Sequence, residues 1–194
     1  MKRVALSNAI LIFLLFTVRP GFAEKPQEKS LEAIEVLSGF SSGELRKKDD
    51  YQLIPLIIAL DFNLKPLTKR FYFDPAQLIQ FQIESFISAA FSPNKNIEAG
   101  TAFALKLGLS PQHWKLQPYV KAGAGFVYIT QQTLEQGTQF NFIEYGGAGI
   151  HYFVFKNTAL TFEYRFRHLS NADIEEPNAG INSYLILGGI CYSF

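Results

Sequence analysis

The sequence predicts an all-β fold: an eight-stranded antiparallel β-barrel of the outer-membrane kind. Three observations predict it. The N-terminus has the build of an export segment. Most of the remaining chain alternates apolar and polar residues with period two. The last residues are apolar at every second position and close on an aromatic, Phe194.

Lys2 and Arg3 form a positive n-region, and Ala9 to Phe16 is an apolar core. Gly21-Phe22-Ala23 offers the small residues a secretory peptidase needs, so residues 1–23 read as a signal peptide cleaved after Ala23. The apolar run is too short to span ~30 Å of hydrocarbon as a helix. Losing Lys2, Arg3 and Arg19, with no acid, takes the formal net charge from +1 to −2. The domain is then 24–194, a transmembrane barrel of the bacterial outer membrane.

Composition agrees. Aromatics are 15% of the chain and charged residues 18%, the latter below the ~25% of an average soluble domain. The single cysteine closes no internal disulfide. Near-neutral charge without a Lys/Arg run argues against nucleic acid as a partner. The longest apolar run after the export segment, Leu53 to Leu60, is short of the ~18 residues of a membrane helix and contains Pro55.

Eight strands follow, expected at 31–42, 51–62, 77–91, 97–109, 115–130, 138–153, 158–168 and 182–194. In the third, Ile79, Phe81, Ile83 and Ile87 share one parity, and Gln80, Gln82, Glu84 and Ser88 the other. In the fourth, Ile97, Phe103, Leu105 and Leu107 oppose Glu98, Gly100, Ala102 and Lys106. Small residues and isolated charges on the second face suit a narrow, filled lumen. In the sixth strand the alternation is ambiguous between Gln139 and Gly147. In the eighth, Tyr184, Ile186, Gly188, Ile190, Tyr192 and Phe194 resemble the terminal strand that outer-membrane assembly machinery recognises. That strand should end at the periplasm. The connection from about Leu169 to Ile181 is then extracellular, and Ser110–Trp114 and Phe155–Thr158 are periplasmic turns. Residues 63–76 are long for such a turn and read as an ordered excursion.

The chemistry sits at the end of strand seven. Leu160, Phe162, Tyr164 and Phe166 share the lipid-facing parity, and His168 and Ser170 continue it. Polar groups on that face cost free energy, least near the interface. Residues two apart lie ~6.5–7 Å apart on one face, so an imidazole can take the proton of a seryl hydroxyl. Ser170 is the candidate nucleophile for an ester carbonyl and His168 the general base, then acid. Asn171, Asn178 and loop amides near Gly180 are candidate oxyanion donors or substrate-positioning groups. The bland alternative is an interfacial His and Ser leading into a polar loop.

The segment His168-Leu-Ser170-Asn171-Ala172, with Glu176-Pro177-Asn178-Ala-Gly180-Ile-Asn182-Ser183-Tyr184 after it, resembles the signature of the PagL-type lipid A 3-O-deacylases. The resemblance implies an eight-stranded outer-membrane barrel that hydrolyses an ester-linked acyl chain of lipid A. It makes His168 and Ser170 the catalytic pair and lipopolysaccharide of the outer leaflet the partner. The family's triad acid is expected 14 residues after the histidine, where this chain has Asn182. An amide oxygen can orient an imidazole but supplies no negative charge. Glu175 and Glu176 are the nearby carboxylates that could substitute. Asn182 shares the parity of Tyr184 and Ile186, so His168, Ser170 and Asn182 are expected to converge on the barrel's outer wall.

Two rivals stay open: a non-catalytic structural or adhesion barrel, and a phospholipase-like esterase on the same scaffold. A homodimer is also left open. Cys191 and His151 have lumen parity and read as packing and hydrogen-bonding residues, and Trp114 beside His113 as part of an aromatic girdle. Gly123/Gly125 and Gly146/Gly147/Gly149 are expected to pack closely inside the barrel rather than to bind phosphate. No His/Asp/Glu spacing suggests a catalytic metal, and no cofactor is expected.

Overall fold

The computed structural model describes residues 30–45, 50–131 and 135–194; the export segment and its cleavage site lie outside the described residues. The strands are β1 (Leu31–Glu44), β2 (Asp50–Asn63), β3 (Gln77–Ser92), β4 (Asn96–Pro111), β5 (Leu116–Ile129), β6 (Phe140–Phe155), β7 (Thr158–Ser170) and β8 (Ile181–Ser193). Each pairs antiparallel with its sequence neighbours, and β1 pairs with β8 to close the barrel. No described helix is long and apolar enough to cross a membrane. The strands do the crossing, and closure leaves no edge with unsatisfied backbone groups.

The expected strands are all present, with differences at their ends. β4 continues to Pro111, which pairs with Gln77. β6 starts at Phe140 rather than 138, because the Asn141 side chain donates to the carbonyls of Thr138 and Gln139 and turns the chain before the ladder begins. β7 runs on to Ser170, which pairs with Phe142 and so lies within the ladder. The 63–76 connection is ordered: α1 (Lys65–Thr68), then a 3-10 turn over Lys69–Phe71. The Leu64 N–H donates to the Ile79 carbonyl and the Gln112 N–H to the Ala76 carbonyl, tying the excursion to β3 and to the next turn.

Burial alternates as the strand pattern requires. Phe103, Leu105, Phe162, Tyr164, Ile186 and Ile190 are exposed on the outer wall, while Glu84, Glu98, Lys106, Lys121, Glu163, Arg165 and Arg167 are buried in the lumen. The buried charges are paired. Arg165 donates to both oxygens of Glu84, at 2.8 and 2.9 Å, and through Nε to Glu163 at 2.8 Å. Lys121 joins the same two carboxylates at 2.6 and 2.7 Å, and the hydroxyls of Tyr145 and Tyr119 donate to one each. Nearer the end that carries the 171–180 loop, Arg167 donates to Glu98 at 2.7 Å, and Glu98 also accepts from Tyr51 at 2.7 Å. At the other end Lys106 pairs with Glu35 and with Asp61. Side chains therefore fill the middle of the interior, as a narrow eight-stranded barrel demands, and a cavity of about 300 Å³ lined by Ala33, Asp61, Gln80, Gln117, His151 and Cys191 remains at the end away from the 171–180 loop.

Removing one member of such a buried pair strands its partner's charge, a cost of about 3–5 kcal/mol. Arg165→Met should lower the stability of the detergent-refolded barrel by that order, read as a lower urea midpoint with unchanged slope. A midpoint equal to the parent's would show that the network carries little of the stability.

Candidate active site on the outer wall

β7 places His168 and Ser170 at its last turn of alternation, on the outward face, and both are half-buried. β8 places Asn182 directly opposite His168. The two side chains meet: His168 Nδ1 and Asn182 Oδ1 are 2.6 Å apart. Oδ1 can only accept, so the bond needs the proton on Nδ1 and leaves the Nε2 lone pair free to act as a base. Ser170 Oγ and His168 Nε2 are not hydrogen-bonded to one another in the structure. Separations of this kind close in many enzymes only when substrate is bound.

Gly180 backs the imidazole. Its φ is +71°, and a Cβ there would lie 2.6 Å from His168 Cε1 and 3.3 Å from Nε2. The position thus requires a residue that accepts a left-handed backbone and carries no side chain. The expected asparagines sit around the same loop, and their bonds are structural. The Asn171 N–H donates to Asn178 Oδ1 at 2.8 Å, and Asn171 Nδ2 donates to the carbonyls of Glu175 and Pro177. Asn178 Nδ2 donates to Asp173 at 2.8 Å. Asn171 is buried, with its side-chain donors committed to the loop; it shapes the 171–180 turn rather than presenting an amide to the outer wall. Glu175 and Glu176 are exposed, and neither carboxylate bonds His168.

The structure adds what the sequence did not indicate. The β5–β6 connection docks on the β7–β8 loop: the Gly137 N–H donates to the Pro177 carbonyl at 2.7 Å, the Ala179 N–H donates to the Glu135 carbonyl at 2.8 Å, and Gln136 bridges to Asn178. A Cβ on Gly137 would lie 2.5 Å from the Glu176 carbonyl oxygen, so this contact needs glycine. Gly146 differs from the glycines around it. Gly147 and Gly149 face close neighbours, but a Cβ on Gly146 meets nothing nearer than 3.9 Å. The expectation of close lumenal packing fails for Gly146, which shares the outward parity of Glu144. Beside it a shallow groove of about 390 Å³ runs along the outer wall, lined by Gly123, Ala124, Glu144, Gly146, Phe166 and His168 among others.

The lumen holds a cluster that sequence spacing did not suggest. Glu35, His151 and Cys191 are buried with ligand atoms within 4.8 Å of one another. Such a set could hold a metal, but Glu35 already pairs with the Lys106 ammonium, and His151 Nδ1 lies 2.9 Å from Thr161 Oγ1. The cluster is enclosed in the barrel, apart from the outward-facing His168.

Ser170, His168 and Asn182 thus stand on the outward face at the rim of a closed eight-stranded barrel. The family model of the PagL lipid A 3-O-deacylases matches residues 58–190, and this chain belongs to that family. It is accordingly a protein of the bacterial outer membrane. Among solved structures it is similar to the outer-membrane enzyme PagL, with a TM-score of 0.62 and 19% identity over 80% of this chain and 97% of that one. It is also similar to Neisserial surface protein A, with a TM-score of 0.64 and 11% identity over 84% of this chain and 97% of that one. At these identities the likeness is one of fold. No curated protein matches the chain at a significant level.

Gly137→Val should free the β5–β6 connection from the 171–180 loop without touching the strands. Limited proteolysis should then cut near residue 137 or within 171–180 in the variant and spare the parent; equal resistance would refute the brace.

Proposed function

We propose that the chain is a serine esterase that removes the 3-position acyl chain of lipid A at the extracellular face of the outer membrane. The observation that carries this reading is the 2.6 Å bond between His168 and Asn182 beside an outward-facing Ser170. It gives the imidazole the tautomer a general base needs. Membership of a lipid A deacylase family supplies the substrate class.

The mechanism follows from the geometry. Ser170 Oγ attacks the ester carbonyl as His168 Nε2 takes its proton. The carbonyl electron pair moves onto oxygen, where the Gly180 backbone amide is a candidate donor. Collapse expels the sugar alkoxide, which takes the proton from Nε2. Water, deprotonated by the same nitrogen, then releases the fatty acid and restores Ser170. The groove beside His168 offers a bed for the acyl chain, with Ala124 and Gly146 as its floor and Phe166 as a wall. Phe142, opposite Ser170 in register, packs edge-on against Phe140 at 5.4 Å and provides apolar surface on the same side. Substrate reaches such a site by lateral diffusion in the outer leaflet. Residues 1–23 serve as the export signal, and Phe194, edge-on to Tyr192 at 5.6 Å, ends the strand offered to the assembly machinery.

Asn182 favours a second reading, a barrel without hydrolytic activity, because it lacks the charge of a triad acid. Lipid A mass spectra from a Gram-negative host expressing the full chain decide between them. The expected result is loss of one 3-hydroxyacyl chain that vanishes in Ser170→Ala while the folded barrel stays in the outer membrane. An unchanged spectrum from the folded parent would overturn the assignment, and release of non-hydroxylated fatty acid would redirect it to glycerophospholipid.

The groove is tested separately. Gly146→Leu has room for its Cβ but fills the bed, and should raise KM several-fold with kcat little changed. Unaltered kinetics would remove the groove from the substrate path.

A further inference from the structure

The barrel's register lines up four polar side chains across its outer wall. Glu44 of β1 is opposite Asn182 of β8, Asn182 is opposite His168 of β7, and His168 is opposite Glu144 of β6. Glu44, Asn182 and Glu144 are exposed and His168 is half-buried. The row interrupts a wall otherwise built of residues such as Phe126, Phe142, Phe166 and Tyr184. A carboxylate on the lipid-facing side of a barrel has a desolvation cost and calls for a reason.

We propose that Glu144 is the charge partner of His168, doing the part of the triad acid's work that Asn182 cannot do. This inference rests on the Ser170–His168 reading above. A triad acid has two tasks: it fixes the tautomer and orientation of the imidazole, and it stabilises the imidazolium formed as the nucleophile is deprotonated. Asn182 performs the first through its 2.6 Å bond to Nδ1. Its amide is neutral and leaves the second undone. Glu144 faces His168 from the other side, with Cα atoms of such cross-strand partners ~4.5–5.5 Å apart. Both residues line the same groove. No ion pair joins the two side chains in the structure; a change of Glu144 rotamer along the shared groove brings its carboxylate to the imidazole edge, and there, at the lipid interface, it favours the charged imidazole more than it would in water. Glu44 also faces this wall, but it stands one strand further from His168, at about twice the ~4.8 Å spacing. The division of labour places the two tasks on the two strands that flank β7.

Glu144 does not touch the ester, so it is a positioning residue, and the test reads activation of the nucleophile. The probe is a fluorophosphonate, which phosphonylates an activated serine whatever its natural ester. It is used on the refolded full barrel beside lipid A hydrolysis. Glu144→Gln should slow phosphonylation of Ser170 about tenfold and lower kcat by a similar factor with KM little changed. Glu144→Asp should recover much of the loss, and Glu44→Gln should cost far less than Glu144→Gln. In the double variant Glu144→Gln/Asn182→Glu the carboxylate returns to the Nδ1 side, and the rate should be restored.

Several results would overturn the proposal: parent-like phosphonylation in Glu144→Gln, an effect on KM alone, or failure of both Glu144→Asp and Asn182→Glu to recover the rate. Parent barrel inert to the probe would overturn it together with the Ser170–His168 reading. Phosphonylation that depends on Glu144, without release of fatty acid from lipid A, would leave the charge partnership standing and remove only the proposed substrate.

Discussion

Closure of the sheet is the constraint on which the rest depends. Within hydrocarbon a strand edge has no water to satisfy its backbone groups, so β1 must find β8. That pairing runs from Ala33–Ser193 to Glu44–Asn182. Together with the β6–β7 and β7–β8 registers it decides which side chains stand level at this part of the outer wall. The meeting of His168 with Asn182, and their alignment with Glu144 and Glu44, are consequences of these three registers.

Closure at eight strands also decides where chemistry can occur. A lumen this narrow fills with side chains, and here Arg165, Lys121, Glu84 and Glu163 cross-link it from three different strands. The cationic and anionic groups inside neutralise one another and hold the wall rigid. The outer surface can then carry polar residues at one rim without losing its shape. The loops serve the same end: residues 135–137 brace the 171–180 turn, and Gly180 leaves its flank open for the imidazole.

Much of this was legible in the sequence because alternation survives wherever side chains report their own parity. Gln80, Gln82 and Glu84 against Ile83 and Ile87 gave β3, and Leu160 through Phe166 gave β7 and carried His168 and Ser170 onto the outward face. The 14-residue spacing pointed to Asn182 as the partner of His168. Glu144 was missed for a physical reason. It lies in the stretch where Gly146 and Gly147 have no side chains to mark inside from outside, so its outward parity could not be read. Its position opposite His168 is a matter of register between strands, which a single strand's pattern does not encode. The bonds that Asn171 and Asn178 make were less legible. Short polar side chains in a turn most often bond the nearest backbone, and the donors of Asn171 do so here.

The outward placement of His168, Ser170 and their groove changes the meaning of concentration for this protein. A surface facing hydrocarbon does not sample the aqueous phase. On the proposed reading, occupancy of the groove is set by the mole fraction of a lipid in its leaflet, and diluting the bilayer with inert amphiphile empties it at constant bulk amount. Small molecules act on it according to how they partition into the membrane, and a water-soluble fragment of a lipid is a poor surrogate for the whole. The relevant kinetics are those of a two-dimensional solution.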